Sequence, residues 1–362
     1  MASAEGGEVF LFVPGFFGFG RFGHPDRPFI EYFARVEDAL LRAHARPAHF
    51  VVHEPPPAGS VAERARSLYD KATEVLRDGA RRLHLIGHSS GAVDARLVAH
   101  PGYKALPARG ELIERVASVI SVSAPFHGTP LARRLGDTAW LAAPALWFAS
   151  ILASRRRLRL AGQLVGLFNL ARRAILQKPT PTDEVIAQLA DVDEETAHQI
   201  RRFLDDVARD HRLVQDLTPE AMGRMNQSLG NDPIAPVSFV SVAPRAGLSP
   251  RAFLSTPLQR LLFDVTSTLA ADTPSDGARS PQGPWIGGGH IALTPRSNDG
   301  IVPAWSQTLD GRAAGLVLGD HLDVIGHSAA DGATFLRSGS NFDDARFRTL
   351  WAHVADAVRA RG

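Results

Sequence analysis

Leu83-His-Leu-Ile-Gly-His-Ser-Ser-Gly-Ala92 decides how this chain is read. Leu83, Leu85 and Ile86 make a short apolar run that suits a buried strand, Gly87 and Gly91 bracket a turn, and the stretch from Gly91 to His100 has the character of a helix. A G-x-S-x-G pattern between a strand and a helix sets Ser89 on a sharp turn whose hydroxyl leaves the carboxyl edge of a sheet. The glycines admit the tight backbone, and the helix N-terminus favours nearby negative charge. Those residue types suit a serine nucleophile. The backbone N–H of Ser90, one residue on, is placed to receive the oxyanion of a tetrahedral intermediate.

The same alternation extends outward. Val9 to Val13 reads as a strand ending at Pro14-Gly15, Pro28 to His44 as a helix, Ala48 to His53 as a strand and Ser60 to Gly79 as an amphipathic helix. Val116 to Val122 is the strand after the Gly91 to His100 helix. Strands and helices in turn predict an α/β chain with a mostly parallel sheet flanked by helices. From Leu131 to Asn231 the strand pattern vanishes, and Ala139 to Ile151, Arg155 to Gln177, Thr182 to Leu189 and Glu194 to Leu217 are helix-like. Strands return at Pro236 to Val242 and Gly315 to Leu318, with a helix at Pro257 to Ala270 and a last one at Phe342 to Arg361. Thr273 to Gly289, rich in Pro and Gly, reads as a surface loop. The expected organisation is a core of residues 1–130 and 232–362 and a large helical lid or cap insertion of residues 131–231.

Composition narrows the function. The chain has 362 residues, 44% hydrophobic and 22% charged, enough for a sizeable core. Forty Lys and Arg against 38 Asp and Glu leave a formal charge of +2, which is no nucleic-acid footprint. With no cysteine, disulfides, thiolate metal sites and a cysteine nucleophile are excluded. No basic stretch precedes the apolar run at Val9, and Pro14-Gly15 breaks that run, so no signal peptide and a cytoplasmic location are expected. Ala139 to Ala153, interrupted by Pro144, falls short of the roughly 20 residues of a membrane span.

A serine nucleophile needs a base, and the base needs an orienting carboxylate, in the chain order serine, acid, histidine. His321 follows the Gly315 to Leu318 strand at a strand-to-loop boundary, whereas His327 lies further along the loop and His353 inside the final helix. His321 is therefore the expected base. Asp299, in the turn Ser297-Asn-Asp-Gly-Ile-Val-Pro303, is the expected orienting acid, with Asp320 and Asp323 as alternatives less well placed to reach the ring. The loop Pro14-Gly-Phe-Phe-Gly-Phe-Gly20 offers the N–H of Phe16 as second oxyanion donor. Phe10, Phe12, Phe16, Phe17, Phe19 and Phe22 crowd this region and favour an apolar acyl group, half of them being candidates for plain core.

These motifs together resemble α/β-hydrolases of the bacterial lipase and esterase type. Gly87-His-Ser-Ser-Gly91 resembles the family's nucleophile elbow, Ser123-Ala-Pro-Phe-His-Gly-Thr-Pro130 its segment after the next strand, and Asp216-Leu-Thr-Pro219 with Asn226 a later stretch. Ser297 to Val302 and Asp320-His-Leu-Asp323 resemble its acid and histidine loops. The resemblance implies an α/β-hydrolase fold, a triad of Ser89, Asp299 and His321, and an oxyanion hole of Phe16 and Ser90. It departs where the family opens its oxyanion loop with His-Gly and this chain has Pro14-Gly15. Family members often hold a structural calcium beside the histidine loop, where Asp323 would stand at one ligand position, but no partner carboxylate is placed and no metal or cofactor is assigned. The resemblance also implies a lid. Ala139 to Gln177 sets Trp140, Trp147 and Phe148 beside the basic run Arg155-Arg-Arg-Leu-Arg159, which suits peripheral contact with a lipid interface or, equally, a buried hairpin. The expected activity is serine carboxylic-ester hydrolysis of lipid-like or other apolar acyl esters through an acyl-enzyme, with acyl transfer to an alcohol as the alternative.

Overall fold

The computed structural model describes residues 7–24, 26–139, 193–245, 258–271, 280–328 and 336–361. Its strands are β1 (Glu8–Val13), β2 (Arg21–His24), β3 (Arg27–Glu31), β4 (Ala48–Val52), β5 (Arg82–His88), β6 (Val116–Val122), β7 (Val237–Val242), β8 (Trp285–Ile286) and β9 (Gly315–Leu318). Its helices are α1 (Val36–His44), α2 (Val61–Arg77), α3 (Ser90–Ala99), α4 (Gly110–Arg115), α5 (Pro130–Ala139), α6 (Glu194–Arg209), α7 (Arg212–Asp216), α8 (Pro219–Leu229), α9 (Leu258–Ala270) and α10 (Asp344–Arg359). Seven strands form one sheet in the order β4-β1-β5-β6-β7-β9-β8, and every pairing in it is parallel.

Burial explains why the strands at the middle are continuous apolar runs. Val9 to Val13 are fully buried, as are Leu83 and Leu85, because helices cover both faces of a parallel sheet. Helix α3 is buried at every position and packs against β5 and β6. Helix α2 starts with a reciprocal capping box, Ser60 accepting from Glu63 N–H and Glu63 accepting from Ser60 N–H.

The strand order places the site. After β4 the chain returns through α2 to the opposite side of β1, so the carboxyl ends of β1 and β5 form a topological switch point, where open sheets of this kind bind ligands. Val13 pairs with Gly87 across those strands, which brings the Pro14 loop beside the turn that carries Ser89.

Three local expectations change. Residues before Val36 form no helix: Arg27–Glu31 pairs antiparallel with Arg21–His24, and the spacing of Phe29 and Phe33 arises from a hairpin followed by a turn. Within the Thr273 to Gly289 stretch, Trp285 and Ile286 add an edge strand beside Leu316 and Val317, too short to show an alternating pattern. The helix expected over Glu194 to Leu217 breaks at Asp210, whose φ of −136° and ψ of 131° are extended and whose carboxylate accepts the N–H of Arg212. Most of the expected lid, residues 140–192, lies outside the described residues. No described helix is long and apolar enough to cross a membrane.

Candidate active site

Ser89 has φ 55° and ψ −133°, a conformation L-residues rarely take and one that costs of order 1–3 kcal/mol. The surroundings impose it. Ser89 N–H donates to Val122 O at 3.0 Å, and its neighbours leave no room for side chains. A Cβ on Gly87 would lie 2.3 Å from Ala92 Cα, and one on Gly91 would lie 2.0 Å from Val13 O. Both glycines are thus required by close approach, one between β5 and α3, the other between α3 and β1.

The loop after β1 is held from several sides. Arg64, fully buried on α2, donates from Nη2 to Pro14 O at 2.7 Å and from Nη1 to Pro56 O at 2.9 Å, and its charge is met by Asp94 on α3 at 2.8 Å. Burial pushes Asp94 up to about 6, opposed by the Arg64 charge. Gly15 N–H donates to Tyr32 Oη at 2.8 Å, and Phe17 N–H to Pro57 O at 3.0 Å. The Pro14-Gly15 turn is thus braced by Arg64 and Tyr32. A Cβ on Gly15 would sit 2.5 Å from Ser89 Cβ, so loop and serine are in contact.

Phe10 and Phe12 point into the core with no exposure, while Phe17, Phe19 and Phe22 are buried under helix α6, whose Phe203 meets their rings at 6.4, 6.0 and 5.3 Å. Phe16 stacks on Phe17 at 3.9 Å. Helix α6 thus contributes a wall of this aromatic cluster through Phe203.

Asp299 is fully buried and accepts on both oxygens. Oδ1 takes the N–H groups of Ile301 at 3.0 Å and Val302 at 2.8 Å. Oδ2 takes His321 Nδ1–H at 2.7 Å, Ser241 Oγ–H at 2.8 Å and Gln307 Nε2–H at 3.2 Å. A bond from His321 N–H to Asp299 O, 2.9 Å, ties the two loops through the main chain. With Nδ1 committed to the carboxylate, the neutral His321 ring carries its lone pair on Nε2. The ring lies 4.7 Å from that of His88, the residue before Ser89, so the imidazole is beside the turn.

The alternatives have other work. Asp320 Oδ1 accepts the N–H groups of Leu322 and Asp323, and Asp323 Oδ2 accepts Asp320 N–H and Ser340 Oγ–H. Burial raises both carboxyls above their ordinary range, Asp323 well above it, with the neighbouring Asp320 charge adding to the effect. Among the described residues no group of three or more His, Asp or Glu could hold a metal ion. His327 bonds to Tyr32 O at 2.9 Å and His353 to Thr349 O on its own helix at 2.8 Å.

Residues not singled out by sequence reasoning are Tyr32, Arg64, Ser241 and Gln307. Gln307 links the acid to β7, accepting Ser241 N–H and donating to Ser241 O, each at 2.9 Å.

No family model matches the chain. The structure of Staphylococcus hyicus lipase superposes with a TM-score of 0.53 at 16% identity, over 98% of this chain and 96% of that one. A metagenomic carboxyl esterase gives 0.50 at 16% identity, over 99% of this chain and 77% of that one. With the parallel sheet and its strand-serine-helix turn, these likenesses define the class: the chain has the α/β-hydrolase fold found in bacterial lipases and esterases. In sequence it is 36% identical over 126 residues to a triacylglycerol lipase of Pseudomonas fragi, which is 34% of this chain and little more than a third, 37%, of that relative.

Proposed function

We propose that this protein is a serine carboxylic-ester hydrolase of the lipase and esterase kind. Ser89 Oγ attacks the ester carbonyl carbon while His321 Nε2 takes its proton. Asp299 holds the imidazole in the tautomer that leaves Nε2 basic and stabilises the imidazolium. The N–H groups of Phe16 and Ser90 receive the oxyanion. Collapse of the intermediate breaks the bond to the alcohol oxygen, which leaves with the proton from His321, and Ser89 remains acylated. Water then attacks the acyl-enzyme, giving its proton to His321, and the acid leaves as Ser89 recovers its proton. The observation that carries this reading is the 2.7 Å bond from His321 Nδ1 to the five-fold hydrogen-bonded Asp299, at the sheet edge where Ser89 sits in its strained turn.

The substrate class we propose is an apolar acyl ester. It is supported by the aromatic cluster of Phe16, Phe17, Phe19, Phe22 and Phe203 around the loop beside Ser89 and by the triacylglycerol lipase named above. Residues 131–231 act as the cap of a core made by residues 1–130 and 232–362, and the cap meets the lipid surface. The test is a hydrolysis profile over p-nitrophenyl esters from acetate to palmitate with Ser89→Ala as blank. Turnover should fall about a thousandfold or more in the blank. Equal turnover in the two proteins would overturn the assignment of Ser89.

A further inference from the structure

Gly15, Tyr32, His88 and His321 lie on four separate stretches of chain, and one line of hydrogen bonds joins them. His88 Nε2 stands 2.9 Å from the carbonyl oxygen of His321. A carbonyl only accepts, so Nε2 carries the proton and Nδ1 of the neutral ring is an acceptor. Tyr32 Oη lies 2.8 Å from that Nδ1, so the phenol donates to it. The phenol oxygen in turn accepts Gly15 N–H at 2.8 Å. Tyr32 and His88 are both buried, at 4% and 1% exposure, and hydrogen bonds are electrostatically stronger in such low-dielectric surroundings. A protonated His88 would reverse the middle link and leave the Tyr32 hydroxyl hydrogen facing a donor. Burial and the adjacent His321 hold His88 well below the usual histidine range, in keeping with the neutral ring.

The two ends of this line are the parts of the site that must agree in space. Gly15 N–H and Pro14 O belong to one peptide, whose oxygen is gripped by Arg64 Nη2 at 2.7 Å, so Tyr32 and Arg64 clamp the plane from both sides. Phe17 N–H is fixed to Pro57 O. The Gly15–Phe16 peptide lies between these clamps, and a Cβ on Gly15 would sit 2.5 Å from Ser89 Cβ. At the far end His88 grips the main chain of His321 while the two rings pack at 4.7 Å.

We infer that Tyr32 and His88 are positioning residues that hold the oxyanion loop and the His321 main chain in a fixed relation across Ser89, so that the Phe16 donor and the imidazole base are presented to the same carbonyl. This rests on the ester-hydrolase reading. Tyr32 touches no reacting atom, and its effect runs through Gly15 and His88.

Tyr32→Phe tests it, since the ring keeps its contacts with Phe19 and Phe33 while the hydroxyl is lost. On p-nitrophenyl butyrate kcat should fall about 10- to 100-fold, less than the 10²–10³ for deleting an oxyanion donor, with KM within about twofold. His88→Gln, whose amide reaches toward the His321 carbonyl but offers Tyr32 no acceptor, should lose a similar amount, and the double variant should fall no further than the worse single one. An unchanged kcat in Tyr32→Phe, a rise in KM alone, or losses that multiply in the double variant would each overturn the inference. Nitrogen NMR of the wild-type histidines supplies a readout independent of activity, and also decides if Tyr32→Phe does not fold. His88 should show the Nε2–H tautomer, and an Nδ1–H or doubly protonated ring at neutral pH would overturn the inference. Absence of ester hydrolysis by the wild-type chain would instead refute the reading of Ser89, while the nitrogen shifts still decide whether the line of hydrogen bonds exists.

Discussion

Replacing Asp299 by Asn changes one atom of a carboxylate that accepts five hydrogen bonds, and the structure dictates which oxygen becomes the amide. Oδ1 faces the N–H groups of Ile301 and Val302, which belong to the main chain and cannot turn away. Oδ2 faces His321 Nδ1, the Ser241 hydroxyl and the Gln307 amide. The hydroxyl can rotate, and Gln307 keeps acceptors in Ser241 O and Val302 O. The Asn NH₂ therefore takes the Oδ2 place and donates to His321 Nδ1, which forces the proton to Nε2. The ring is then in the tautomer that cannot accept from Ser89, and kcat on p-nitrophenyl butyrate should fall about 10⁴-fold. One buried hydrogen bond to a charged acceptor is also weakened, so stability should drop by about 1–3 kcal/mol while the fold remains. Steady-state kinetics from pH 6 to 9 with thermal unfolding of both proteins reads both quantities. A kcat within tenfold of wild type at every pH would refute the role given to Asp299.

Gly91→Ala should be disproportionately harmful for one methyl group, because its Cβ would meet Val13 O at 2.0 Å and Pro14 O at 2.6 Å, and thermal unfolding should register a loss of about 1–3 kcal/mol together with lower turnover. Burial lowers His53 to about 3 and His84 to about 4, against about 6.5 in an unfolded chain. Below pH 6.5 the unfolded chain takes protons that the folded one refuses, so each histidine contributes stability that is full above that pH and is lost as pH falls, at about 1.4 kcal/mol per unit down to its folded value. Asp94, raised by burial, acts in the opposite sense between its ordinary range and about 6, so the cleaner measurement is His53→Asn, whose denaturant-derived stability should fall less steeply than wild type from pH 5.5 to 4. Parallel curves would contradict this. Changing Arg155, Arg156, Arg157 and Arg159 to Glu should reduce turnover on an emulsified long-chain ester more than on a soluble short-chain one, and equal losses would mean that this run meets no interface.

Legibility in the sequence followed the length and regularity of each signal. β1, β5, β6, β7 and β9 were readable because central strands of a parallel sheet are unbroken apolar runs between turn residues. The two-residue β8 and the hairpin of β2 and β3 were not, since the first is too short for a pattern and the second is set by pairing within an aromatic-rich loop. Ser89 was marked by its glycines, and Asp299 and His321 by chain order and strand ends. Tyr32, Ser241 and Gln307 carried no such mark. Each is a single polar residue whose partner is fixed by tertiary packing, Tyr32 meeting His88 56 residues away and Ser241 meeting Asp299 58 residues away. The sequence showed that Pro14-Gly15 departs from the family's His-Gly opening, but not which side chains hold that peptide.

The central claim is that Ser89 becomes covalently acylated. Intact-mass and peptide mass spectrometry of the chain after treatment with a fluorophosphonate, a reagent that traps activated serines, tests it most directly. One adduct per chain should appear on the peptide containing Ser89, should vanish in Ser89→Ala and should form far more slowly in His321→Ala. A wild-type chain that stays unlabelled, or one labelled at another residue while Ser89 is untouched, would contradict the account.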